Sequence, residues 1–205
     1  MSTSAALPSP HLHPDPVALI GPNAVMQLAA AMEERLGQRE TRAIFADAQV
    51  SPMPRGDLMI AEDFALRLHR WLALHEPIES YAIAHEAGLR TADYIIANRI
   101  PPLAVRLLRS LPAPIAAPLL MQAIRRHAWT FAGAGHFEPD GAWHFTMDRS
   151  AASDIGLPPA SLFHWYAAVF TRLFDRLVAP GCRCRDLDSD EPIAARHRFE
   201  IVRTQ

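Results

Sequence analysis

Histidines and cysteines are the residues here whose type and spacing could do chemistry. His75 and His85 each fall on an apolar helical stripe, where a polar ring needs a hydrogen-bond partner or a ligand. A satisfied core imidazole and a metal-binding one both fit that placement. His127 closes a helix just ahead of an aromatic segment, where capping the helix C-terminus is the ordinary role. His164 falls in the first turn of a late helix, where the dipole disfavours a charged ring. A neutral imidazole at that position can ligate a metal or simply face water. Around these histidines stand Tyr81, Tyr94, Trp129, Phe131, Trp143, Phe163, Trp165 and Tyr166. They read either as core or as walls for a flat, largely apolar ligand whose central metal takes one or two ring nitrogens.

Cys182, Cys184 and, across a spacer of twelve residues, His197 form the one group with soft-metal character. Residues two apart on a strand share a face, so the two thiols can point together. Three ligands fall short of a closed structural zinc site, and a fourth would come from Asp186, Asp188 or another chain. Reduced, partly buried thiols are the alternative. Two Cys cannot supply the four thiolates of an iron–sulfur cluster, and at this spacing they cannot bridge each other without severe strain.

Several other chemistries are struck off by composition. All 20 basic residues are Arg, so there is no Walker-type lysine and no Schiff-base nucleophile. A formal charge of −2 gives no reason to expect nucleic acid as a partner. Gly133-Ala134-Gly135 is half of a dinucleotide fingerprint, but Glu138 occupies the third glycine position and the surroundings read as a hairpin. Packing within a sheet is the better account of those glycines. No motif for NAD(P), flavin or ATP is visible, so no cofactor is expected from motifs.

The elements that must position these residues follow from periodicity. The first 16 residues hold four Pro, three Ser and two His and read as a flexible arm, leaving 17–205 as a single domain. Apolar spacing predicts helices over Ala24–Leu36, Glu40–Ala48, Ile60–His75 and from Pro77 to Ile96. In the last of these, Ile78, Tyr81, Ala82, His85, Leu89, Ala92 and Ile96 form the expected buried face. Two shorter helices are predicted over Leu103–Leu108 and Ala116–Arg126. Alternation from Trp129 through Phe137, the Pro139-Asp140-Gly141 turn, and Trp143, Phe145 and Met147 predict a hairpin. A helix over Ser161–Val178 and strands near Arg183–Leu187 and His197–Val202 complete an α+β fold with a small antiparallel sheet. No apolar run approaches a membrane span, and a cytoplasmic location is expected.

Two runs resemble bacteriochlorophyll 4-vinyl reductases. They are Glu86-Ala87-Gly88-Leu89-Arg90-Thr91-Ala92-Asp93-Tyr94-Ile95-Ile96-Ala97-Asn98-Arg99-Ile100-Pro101 and His127-Ala128-Trp129-Thr130-Phe131-Ala132-Gly133-Ala134-Gly135-His136-Phe137. His164-Trp165-Tyr166-Ala167-Ala168-Val169-Phe170-Thr171-Arg172-Leu173-Phe174 and Arg198-Phe199-Glu200-Ile201 fit the wider 4-vinyl-reductase domain, and the resemblance spans about Pro14 to Val202. It implies a fold similar to vesicle-transport-particle subunits, with N-terminal helices packed on a four-stranded antiparallel sheet, commonly as a homodimer. It also implies a pocket for an apolar small molecule, here a Mg-tetrapyrrole intermediate, and a place of work in the cytoplasm or at the periphery of the photosynthetic membrane. In that wider domain a second Cys often stands where this chain has His197, a departure from the family's zinc-ligand pattern.

The name implied by the resemblance is that of a reductase, yet reducing a vinyl group requires two electrons and two protons from a nicotinamide, a flavin or a cluster. The expected role is therefore binding and delivery of a vinyl-bearing protochlorophyllide or chlorophyllide to pathway enzymes. The alternatives are reduction of the 8-vinyl group and a small-molecule sensor domain. The expected tetrapyrrole-binding residues are His85, Tyr94, His127, Trp129, Phe131, His164 and Trp165, with a propionate paired to Arg90, Arg99, Arg125 or Arg126.

Overall fold

The apolar spacings of the N-terminal half become helices in a computed structural model of the chain, which describes residues 17–56, 58–151, 156–190 and 194–204. The expected arm, 1–16, lies outside them. Helix α1 (Asn23–Leu36) buries Val25, Leu28 and Met32 and stops at Gly37, whose φ of 88° suits a residue without Cβ. Helix α2 (Gln38–Asp47) follows, then α3 (Asp63–His75), α4 (Pro77–Asn98), α5 (Pro102–Ser110) and α6 (Ala113–Arg126). Pro77, Pro102 and Pro114 sit in first turns, where a missing N–H costs no intrahelical bond. Leu19–Ile20 (β1) pairs antiparallel with Ile60–Ala61 (β2), a two-stranded ribbon that the alternation pattern is too short to announce.

The C-terminal half forms an antiparallel sheet in the order β3-β4-β6-β5, from His136–Asp140 (β3), His144–Asp148 (β4), Cys182–Asp186 (β5) and Arg196–Arg203 (β6). Helix α8 (Ala160–Leu177) lies across one face. The fold is the α+β arrangement expected. Period-two burial carries the sheet: Phe137, Phe145, Met147, His197, Phe199 and Ile201 all point to the helix side. Phe145 stacks on Phe199 of the next strand at 4.7 Å and on Phe170 of α8 at 4.0 Å.

Two local expectations are corrected. Trp129–Ala132 is not strand but a short helix, α7, held by Phe131 N–H to Ala128 O (3.0 Å) and Ala132 N–H to Ala128 O (2.8 Å). Period-two spacing over five positions, two of them Gly, does not separate a strand from a helical turn that runs into a loop. The buried face of α4 is also rotated. Ser80, Ile83, Ala84, Ala87, Gly88, Thr91 and Ala92 face inward, while Ile78, Tyr81 and His85 are exposed. The reason is close approach. A Cβ on Gly88 would stand 2.6 Å from the Trp165 carbonyl oxygen and 2.7 Å from Ala168 Cβ, so α4 meets α8 through its smallest side chains. Larger residues are displaced to the flanks of that contact, and that is what places His85 beside α8 with its ring partly covered and partly open to solvent.

Candidate functional site

A cleft of about 530 Å³ opens where α4, α8 and β5 meet. Its size falls within the range of small-molecule sites. His85 of α4 and His164 of α8 both line it, with ring centroids 5.5 Å apart and planes tilted by 44°. Tyr81 meets the His164 ring edge-on at 5.6 Å. Both imidazoles are held below their ordinary pKa. For His85 the cause is burial, reinforced by the Arg183 and Arg172 guanidiniums and opposed by Glu86. For His164 it is burial and then His85, opposed by Asp186. Two neutral rings therefore present lone pairs at neutral pH, the form that ligates a metal.

Arg172, Arg183 and Arg185 line the same cleft. Arg172 also stands 3.3 Å from the Asp93 carboxylate. Edge strand β5 is fixed to the helix by the Cys184 N–H, which donates to the Thr171 hydroxyl at 2.8 Å. Burial pushes the Cys184 thiol up, far from its reactive thiolate form. The cleft thus combines nitrogen ligands, guanidiniums able to meet carboxylates, and apolar wall from Leu89, Ala167 and Ala168. The arginines suggested by sequence are elsewhere: Arg90 is paired with Glu86 and Glu34, Arg99 lies over the Tyr94 ring, and Arg125 and Arg126 are exposed on α6.

The seven expected pigment-binding residues divide among four places. His85 and His164 come together in the cleft. Tyr94 stands farther along α4 against Arg99. His127 is exposed, and its Nδ1–H donates to the Ala123 carbonyl at 2.8 Å, which is the capping role. Trp129 is exposed beside it on α7. Phe131 and Trp165 line an internal cavity of about 10 Å³, room for a water and nothing larger. Cys182, Cys184 and His197 do not gather. His197 Nδ1 lies 2.8 Å from Asp186 and Nε2 lies 3.2 Å from the Ala194 carbonyl, so both ring nitrogens face oxygen acceptors. No group of three or more His, Cys, Asp or Glu able to hold a metal occurs among the described residues.

A buried polar cluster surrounds the small cavity, and the sequence reading missed it. Glu62, just before α3, pairs with Arg149, just after β4, at 2.9 Å. The Ala134 N–H donates to the same Glu62 oxygen at 3.0 Å, and Arg149 also donates to the Ala132 carbonyl. A Cβ on Gly133 (φ 56°) would collide with that oxygen, which explains the glycine as clearance for a buried carboxylate. Beside the pair, the Tyr166 hydroxyl donates to the Phe131 carbonyl at 3.1 Å.

His69 is the buried imidazole of α3, with Nδ1 3.1 Å from the Ser161 hydroxyl. His75, placed on that stripe by sequence, is instead exposed and stacked on Trp71. The alignment of His69 with Ala65, Leu66 and Leu72 was the available signal. Burial lowers the His69 pKa to about 3. The unfolded chain takes up a proton there below about 6.5 while the folded chain refuses it until about 3. Stability is therefore fully present above 6.5 and lost as pH falls between those values, at about 1.4 kcal/mol per pH unit. Urea unfolding at pH 7 and pH 5 should show that loss in the native chain and a shallower one in His69→Gln. An identical pH slope in the two would assign the acid sensitivity to other groups.

No helix among the described residues is long and apolar enough to cross a membrane. No family model matches the chain. Curated relatives do. The chain is 42% identical over 186 residues to the bacteriochlorophyll synthase 23 kDa chain of Cereibacter sphaeroides, covering 89% of this chain and 90% of that protein. It is 36% identical over 180 residues to the protein of the same name from Rhodobacter capsulatus, covering 86% and 82%. Among solved structures, an Fe(II) unliganded H-NOX protein from K. algicida aligns with a TM-score of 0.58 at 12% identity, over 91% of this chain and 97% of that one. A mutant of the same H-NOX protein aligns at 0.57 over the same shares. At that identity the likeness shows the fold.

Proposed function

Since the chain belongs to the family of the bacteriochlorophyll synthase 23 kDa chain, and so to bacteriochlorophyll biosynthesis, we propose that it binds a vinyl-bearing Mg-tetrapyrrole of the protochlorophyllide or chlorophyllide type and delivers it to enzymes of that pathway. One observation carries the reading: two imidazoles, His85 and His164, held neutral and side by side in a cleft lined by Arg172, Arg183 and Arg185. A Mg-tetrapyrrole asks for those groups together. Its metal takes a neutral nitrogen, its propionate takes a guanidinium, and its macrocycle takes apolar wall. When bound, the metal supplies a coordination position; the chain's own residues orient the pigment and shield one face from water. A carrier site of this kind keeps a poorly soluble, photoreactive intermediate from aggregating.

Reduction of the 8-vinyl group is the competing reading, carried by the resemblance of the Glu86–Pro101 run to 4-vinyl reductases. The relatives' name speaks of a synthase chain instead. The two readings separate in one titration of the purified protein with monovinyl and divinyl protochlorophyllide, with and without NADPH. Binding and delivery predict a shift of the Soret band for both pigments and full recovery of the divinyl form. Conversion of the divinyl pigment by this chain alone would make it the reductase.

A further inference from the structure

Between Asp93 and Glu138 the sequence holds five Arg and no acidic residue, although the whole chain has a formal charge of −2. That stretch contains α5 and α6, and neither helix contributes to the cleft. Each buries one face only. In α5 the inward residue is Leu108; in α6 they are Ala116, Ala117, Leu120 and Met121. The opposite faces are not polar. Leu103 and Leu107 form an i, i+4 pair on the outer side of α5, and Ile115 and Leu119 form another on α6, all between 44% and 76% exposed. Arg106 falls beside the first pair, and Arg126 continues the stripe of the second about two turns farther along α6, with Arg125 on the flank. None of these three has a carboxylate partner among the described residues. Trp129, 61% exposed, follows α6 by three residues.

Exposed leucines bounded by arginines of one sign, with a neighbouring exposed Trp, are what a helix needs to lie in a lipid interface. We propose that α5 and α6 form the surface by which this protein docks on an anionic bilayer, its apolar pairs set at the acyl boundary and its arginines against lipid phosphates. The charge argues for lipid over a protein groove, because 44 consecutive residues without a carboxylate complement a uniformly negative sheet. This inference does not depend on the pigment reading, since neither helix lines the cleft.

The test is co-sedimentation of the purified full chain, without pigment, with phosphatidylcholine vesicles and with vesicles in which about a third of the lipid is phosphatidylglycerol. Binding is expected to the anionic vesicles only, and to weaken in 0.5 M salt, beyond about a 4 Å screening length. Arg106→Gln/Arg125→Gln/Arg126→Gln should lower the partition on the order of a hundredfold, about fivefold per charge. Leu103→Gln/Leu107→Gln should weaken it independently of charge. These side chains are exposed, so an unchanged circular dichroism spectrum is expected for both variants. Absence of binding to anionic vesicles, equal binding to both vesicle types, or full binding by the triple Arg variant would overturn the inference. Pigment binding without vesicle binding would overturn this surface and leave the cleft standing; vesicle binding without pigment binding would do the reverse.

Discussion

Arg149→Met is expected to destabilise the protein by about 3–5 kcal/mol, read as a lowered midpoint of urea unfolding with an unchanged slope. The arginine and its partner Glu62 are both buried, and their ion pair joins the segment before α3 to the segment after β4. Removing Arg149 leaves the carboxylate desolvated with only the Ala134 N–H to face it, and deprives the Ala132 carbonyl of a donor. An uncompensated buried charge costs far more than the pair contributes as a pair. The double variant Glu62→Leu/Arg149→Met should accordingly recover a large part of the loss. Gly133→Ala should resemble the single variant, since its Cβ would collide with the Glu62 oxygen at a φ of 56°. A double variant as unstable as Arg149→Met would mean that the arginine acts through packing.

Much of this was legible in the sequence, and the parts that were not have physical causes. Helix and strand order follow from apolar periodicity and from Pro and Gly punctuation, and the α8 stripe of Leu162, Trp165, Val169, Leu173 and Leu177 is buried as read. The inward face of α4 was not legible, because helix contact there runs through Ala84, Ala87, Gly88 and Ala92, and small residues carry little weight in a pattern of large apolar ones. His85 was singled out for sitting on an apolar stripe; its value is that it does not, and so reaches the cleft beside His164. Trp165 and Phe131 line the small internal cavity and not the cleft that holds His85 and His164. The cleft arginines, Arg172, Arg183 and Arg185, lie on two elements whose contact no local pattern announces. Glu62 and Arg149 are 87 residues apart, so their pairing is a product of the fold. Gly133-Ala134-Gly135 is the one local trace of it.

Replacing His85 and His164 together by Ala is the second change expected to have a large effect. Their rings are 5.5 Å apart in one cleft, so either can take over from the other, and single replacements should cost less than the pair. Loss of the nitrogen ligand should weaken Mg-tetrapyrrole binding tenfold or more, about 1.4 kcal/mol at least. His85 is exposed and His164 half-buried, so the fold should persist and unfolding midpoints should hardly move.

The central claim is that these imidazoles hold a pigment by its metal, and the most direct measurement is the ratio of affinities for a Mg-bearing protochlorophyllide and its metal-free counterpart, taken by absorption titration. The native chain is predicted to favour the Mg form by about tenfold or more, and the double His variant to bind the two forms equally. Equal affinity for both pigments in the native chain would contradict ligation by His85 or His164.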